Sequence, residues 1–265
     1  MAGLRVLLFA LLLPFYLATL TGNLLILGLG VVDPTLHTPM YFFLGSLSAV
    51  EVAYTLVLTP RMLAGFLLPP GGQAMAASTC AAQMGLFVAL GGSECPLLAA
   101  MALDRYLAIC RPSVHDFRAL LVPARLLLSV LVLACGNRDL QEHVLLDACL
   151  LLLVLPLALI LLSYTRVLVV ILGIGRAAGH RKAFNTVMSH LTVAVLHYGC
   201  AMAMYARPLQ SCSLEEDKLV SLIYINLTPL LYPAIYTLHN RDVQGALQHM
   251  AGQSTPGAIH QAILT

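Results

Sequence analysis

Two oppositely charged side chains, Asp104 and Arg105, stand next to each other at the end of a long apolar run, in the stretch MALDRYLAICRP (101–112). Charge at the edge of a hydrophobic segment is costly unless it anchors an interface or forms a pair that can be made and broken. Asn23, Glu51, Glu94, His190 and Asn226 also fall inside or beside apolar runs. Such groups either hydrogen-bond one helix to another or serve an ion or proton site. Glu51 demands the most, because an ionised carboxylate in apolar surroundings needs a cation, water or a proton. No glycine-rich phosphate loop, HExxH, CxxC or nucleophile with a base beside it occurs in the sequence. The seven cysteines are scattered, which argues against a zinc site or a disulfide scaffold. The chemistry on offer is electrostatic and conformational, and no enzyme activity is expected.

The elements that position these residues follow from composition. The chain has 265 residues, is 60% hydrophobic and 10% charged, and has a mean hydropathy of +0.89. An ordinary soluble domain carries about 25% charged residues, so a lipid bilayer is the expected solvent. Net charge is +2 with no long basic run, and nucleic acid is not an expected partner. Residues 1–18 resemble a signal peptide, but the apolar character continues to Val32, past the ~7–15 residues of a signal core. The stretch reads as a first span, with a cleaved signal as the alternative.

A helix crossing the hydrocarbon core needs about 20 mostly apolar residues. Spans are expected at 6–32, 40–68, 78–103, 144–172, 184–206 and 219–237. A weaker segment at 119–135 contains Pro123 and Arg125. Its apolar part, Leu126 to Cys135, covers only about 15 Å as a helix. Basic residues cluster at Arg105, Arg111 and Arg118, again at Arg176, Arg181 and Lys182, and at Arg241. The positive-inside rule puts these on one side, so an even number of crossings separates the first two clusters and 119–135 must cross or re-enter. The expected fold is an all-α membrane protein, a seven-transmembrane helix bundle with a shortened fourth helix. It forms one domain over 1–265, N-terminus extracellular, with a cytoplasmic tail at 238–265.

Five blocks in order carry a family resemblance: LHTPMYFFLGSLS (36–48), MALDRYLAIC (101–110), SYTRVL (163–168), KAFNTVMSHL (182–191) and PLLYPAIYTLHNRDV (229–243). Together they resemble the odorant (olfactory) receptors, a branch of the rhodopsin-like G-protein-coupled receptors. The resemblance implies a plasma-membrane receptor for small volatile odorants that signals through a heterotrimeric, stimulatory olfactory-type G protein. It implies an activation switch of Asp104, Arg105, Tyr106, Tyr164, Lys182, His190, Pro233 and Tyr236, in which the sixth span swings outward and frees Arg105. A polar core of Asn23, Glu51 and Tyr232 is implied, with a sodium ion there as the one cofactor it could hold. The ligand pocket is expected at Met84, Val88, Ala194, His197, Tyr198 and Met202, although each also suits ordinary helix packing.

The sequence departs from the family pattern at four places. Tyr232 stands where the family has the Asn of its seventh-span NPxxY motif, and Glu51 where it has Asp. The long extracellular N-terminal stretch has no counterpart before residue 6. Between the DRY-type motif and SYTRVL, half a span and most of the second extracellular loop are missing, and LACGNRDLQ (133–141) resembles that loop's tail. The family's third-span cysteine is Cys80, and Cys135 is the remaining nearby partner for a disulfide. Such a shortened chain could instead be a non-signalling remnant, or a dimer partner of intact receptors.

Overall fold

The structure, a computed structural model, describes residues 2–68, 76–111, 141–173, 177–205, 226, 228–236 and 241–253. Five long helices dominate it: α1 (Ala2–Val32), α2 (Pro39–Leu67), α3 (Ala77–Cys110), α4 (Gln141–Gly173) and α5 (Ala177–Tyr205). Two shorter helices follow, α6 (228–236) and α7 (Arg241–Gln253). No strand occurs among the described residues. The segment 119–135 and the chain from 206 to 225 lie outside them.

Four stretches are long and apolar enough to cross a membrane: Arg5–Val32, Pro39–Leu67, Ser78–Cys110 and Leu153–Ile171. Within α5 the apolar stretch is shorter, Val187–Ala201. The outward faces are apolar too, with Leu7, Leu11, Leu24, Val154 and Leu162 exposed. Helices that are apolar all round suit lipid, where every backbone polar group must be satisfied within the helix.

Each of α1 to α4 has an internal proline: Pro14, Pro60, Pro96 and Pro156. A proline gives no N–H to the carbonyl four residues earlier, and neighbouring helices and side chains can take up the freed acceptor. α1 packs on α2, α2 on α3, and α3 on both α4 and α5. α3 does not stop at residue 103, where charge begins, but runs to Cys110. Leu103, Leu107 and Ile109 keep packing against the core in this extension, so Asp104 and Arg105 sit on a formed helix rather than after it. A single 3-10 turn, Pro34–Leu36, joins α1 to α2, and α7 packs against it.

Candidate functional site

One stripe of α3 supplies both halves of the site. Positions 94, 98, 101 and 105 follow the i, i+4, i+7, i+11 spacing of one helix face, and Glu94, Leu98 and Met101 are buried. At one end of this stripe, Nη2 of Arg105 donates to Oδ2 of Asp104 at 2.7 Å. The Asp104 side chain is 1% exposed and that of Arg105 21%. Arg105 Nε is buried with no hydrogen-bond partner among the described residues.

Three side chains from other helices surround this pair. Buried Tyr164 of α4 lies within electrostatic reach of both Arg105 and Asp104, and buried His190 of α5 within reach of Arg105. Tyr236 of α6 places its hydroxyl 3.3 Å from Nδ1 of His190, with the two rings 5.2 Å apart. Tyr106 packs half-buried against the same core. Of the expected switch residues, Asp104, Arg105, Tyr164, His190 and Tyr236 are therefore brought together. The Lys182 side chain lies outside the described part.

Two turns further along the bundle, His197 joins three residues. Its Nδ1 is 3.0 Å from Glu94 Oε2 and 3.0 Å from the Tyr232 hydroxyl, and its Nε2 is 3.3 Å from Cys95 Sγ. His190, Val193, Ala194, His197 and Ala201 are all buried, and their spacing makes one inward face of α5. Glu51 of α2 is 1% exposed, and Glu94 is the one group within hydrogen-bonding reach of its carboxyl among the described residues. Glu94 and His197 are close enough to act on its charge. No group of three or more His, Cys, Asp or Glu side chains among the described residues is arranged to hold a metal ion.

Asn23 bonds α1 to the backbone of α6. Pro233 cannot donate to the carbonyl of Pro229, four residues before it. The Asn23 side-chain amide donates to that carbonyl at 3.1 Å and to Thr19 O at 3.0 Å. Gly22 makes this approach possible, since a Cβ there would lie 3.0 Å from Cβ of Pro233. Small residues permit such close helix contacts.

Of the expected pocket residues, Ala194, His197 and Tyr198 are buried in the core, and His197 is tied to Glu94 and Tyr232. The side chains of Met84, Val88 and Met202 lie outside the described part. Cys80 is exposed and has no disulfide partner among the described residues, while Cys135 lies outside them. The contact of Cys95 with His197 is not foreshadowed in the sequence. Its neighbour Glu94 was the available signal, but nothing local to α3 points to a histidine on another helix.

The comparisons with known proteins agree with this architecture. The profile described as 7 transmembrane receptor (rhodopsin family) matches residues 22–137, and that described as Olfactory receptor matches residues 124–254. Olfactory receptor 10AC1 of Homo sapiens is 42% identical over 294 aligned positions, covering 96% of this chain and 90% of that one. That alignment is longer than this chain, so the relative carries residues with no counterpart here. Olfactory receptor 2K2 of Homo sapiens is 37% identical, covering 98% and 93%. Olfactory receptor-like protein OLF3 of Canis lupus familiaris is 39% identical, covering 94% and 89%. The chain, an all-α membrane protein, belongs to the olfactory receptor family of rhodopsin-like seven-transmembrane receptors.

Proposed function

We propose that the protein is an odorant-activated receptor that signals through a heterotrimeric, stimulatory olfactory-type G protein. It sits in the plasma membrane as one seven-span domain, N-terminus extracellular and tail cytoplasmic. The observation that carries this reading is the cluster of Asp104, Arg105, Tyr164, His190 and Tyr236, drawn from α3, α4, α5 and α6 to one end of the bundle. Such a cluster is a bistable element. The Asp104–Arg105 pair and the His190–Tyr236 contact hold one packing, and a ligand that favours the other packing shifts the population. Outward movement of α5 breaks the His190–Tyr236 contact and leaves Arg105 free to face a G-protein helix.

The odorant site belongs at the other end of the same α3 and α5 faces, around Ala194, His197 and Tyr198. A mostly apolar pocket with few polar groups suits a small volatile ligand. Glu51 fits a sodium ion in the polar core, because it is a buried carboxylate set beside a second one, Glu94, and a cation between them would relieve their repulsion. A sodium-dependent rise in thermal stability that Glu51→Gln removes is the expected result.

The signalling test is ligand-dependent cAMP in transfected cells, with surface labelling of the same cells. Surface-exposed protein that responds to an odorant, and falls silent as Arg105→Ala, supports the reading. Surface-exposed protein that stays silent across a broad odorant panel, or a chain retained inside the cell, favours the non-signalling alternative.

A further inference from the structure

We infer that Cys95 is a base-assisted thiol at which this protein captures small apolar electrophiles covalently, of the α,β-unsaturated aldehyde class. An ionised Glu94 can only accept, so Nδ1 of His197, 3.0 Å from it and 3.0 Å from the Tyr232 hydroxyl, carries the ring proton. Nε2 is then the acceptor, and it faces Cys95 Sγ at 3.3 Å. Nucleophile, base and orienting group stand in a row, the arrangement that activates a weak nucleophile. All three side chains are at least 97% buried.

Tyr198 supplies a fourth part. Its hydroxyl is buried, lies within electrostatic and hydrogen-bonding reach of the Cys95 sulfur, and has no other hydrogen-bond partner among the described residues. A phenol in that place can donate to the carbonyl oxygen of a molecule whose β-carbon meets the thiol. Gly91, one turn away on α3, has no side chain, and a Cβ added there would meet only a Tyr54 ring carbon at 3.8 Å.

The step balances without any further reactant. His197 Nε2 takes the thiol proton, and the sulfur electron pair forms the bond to the β-carbon. The carbon–carbon double-bond electrons move to the carbonyl oxygen, which accepts from Tyr198. The proton held by His197 then passes to the α-carbon as the carbonyl re-forms, leaving a saturated thioether aldehyde. Nothing is oxidised or reduced, and no group leaves. Burial selects the reagent, since a small apolar molecule can enter through the apolar bundle and a charged one cannot.

The inference rests on the odorant-site reading only for the route by which such a molecule arrives. Adduct formation is read by mass, so a silent receptor that still forms the adduct sinks the signalling reading alone. The purified full chain in lipid nanodiscs is treated with trans-2-hexenal, reduced with borohydride, and the adduct rate at each cysteine is followed by peptide mass mapping. Exposed Cys80 and half-buried Cys200 are references within the same molecule. Cys95 is expected to react at least about tenfold faster than Cys200, and His197→Phe to remove that advantage while Cys200 keeps its rate. A Cys95 rate no higher than that of Cys200 in the unmodified chain overturns the inference, whatever the variant does. So does an unchanged Cys95 rate in His197→Phe.

Discussion

The phenolic oxygen of Tyr232 lies 3.0 Å from Nδ1 of His197, and one turn along α6 the hydroxyl of Tyr236 lies 3.3 Å from Nδ1 of His190. Two tyrosines four residues apart thus grip two histidines seven residues apart, in reversed order along the chain. The order requires α5 and α6 to run antiparallel. The helix expected to swing on activation is held at two heights by the same neighbour.

Tyr232→Phe removes the upper grip while keeping the ring in place. A buried hydrogen bond contributes about 1 kcal/mol, which corresponds to a roughly fivefold shift in a two-state equilibrium. Ligand-free cAMP, normalised to surface protein, is expected to rise by about that factor. An unchanged basal signal at equal surface level means the contact does not restrain the helix.

Breaking the Asp104–Arg105 pair from its two sides has opposite expected outcomes. Asp104→Asn keeps the size of the side chain but releases the guanidinium, and basal signalling should rise. Arg105→Ala removes the group that would face the G protein, and ligand-dependent signalling should disappear with surface expression retained. Matching phenotypes in the two variants would show that the pair is only an interfacial anchor.

Gly22 and Asn23 should both be sensitive. Gly22→Ala forces a methyl against the stiff Pro233 ring at 3.0 Å, and overpacking of this kind costs about 1–3 kcal/mol. Asn23→Ala leaves the Pro229 carbonyl without its donor, at a cost of about 1–3 kcal/mol for an unsatisfied buried group. Thermal unfolding in detergent is the measurement. A Tm for either variant equal to that of the unmodified chain removes the proposed seam between α1 and α6.

The turn between α1 and α2 has a pH signature. Asp33 accepts from Thr35 Oγ1 at 2.7 Å and Thr35 N at 2.9 Å, and these bonds hold its carboxyl below the usual carboxylate range. A depressed folded value means its contribution is complete above the unfolded value of about 3.9 and is lost as pH falls through the lower folded value. Stability should therefore show an acid limb below about 4 that Asp33→Asn removes. An unaltered acid limb in the variant would assign it to other carboxylates.

How far the sequence could be read depended on how local each signal was. Long apolar runs with few charges made the membrane helices legible from composition. Asp104, Arg105, Tyr164, His190 and Tyr236 were legible because each sits in a short block resembling the family's. That α3 keeps packing beyond the charges, through Leu107 and Ile109, is less evident from composition, since charge at a membrane edge also marks the limit of a span. Cys95 was illegible. A thiol acquires meaning only from the ring beside it, and His197 is 102 positions away on another helix. The polar character of Asn23 is plain in the sequence, but that its amide serves the backbone break at Pro233 is not, because Pro229 is 206 positions away.

That amide also sets an order of manufacture. Its second acceptor is 206 positions downstream. At about 5–20 residues per second, the ribosome needs roughly 10–40 s to deliver Pro229 after Asn23 has emerged. Through that interval the patch of α1 that meets α6 is unmatched, Gly22 facing no ring and Asn23 no second carbonyl. α1 can settle against α2 as soon as both are made, but its Gly22–Asn23 face is completed only when α6 arrives.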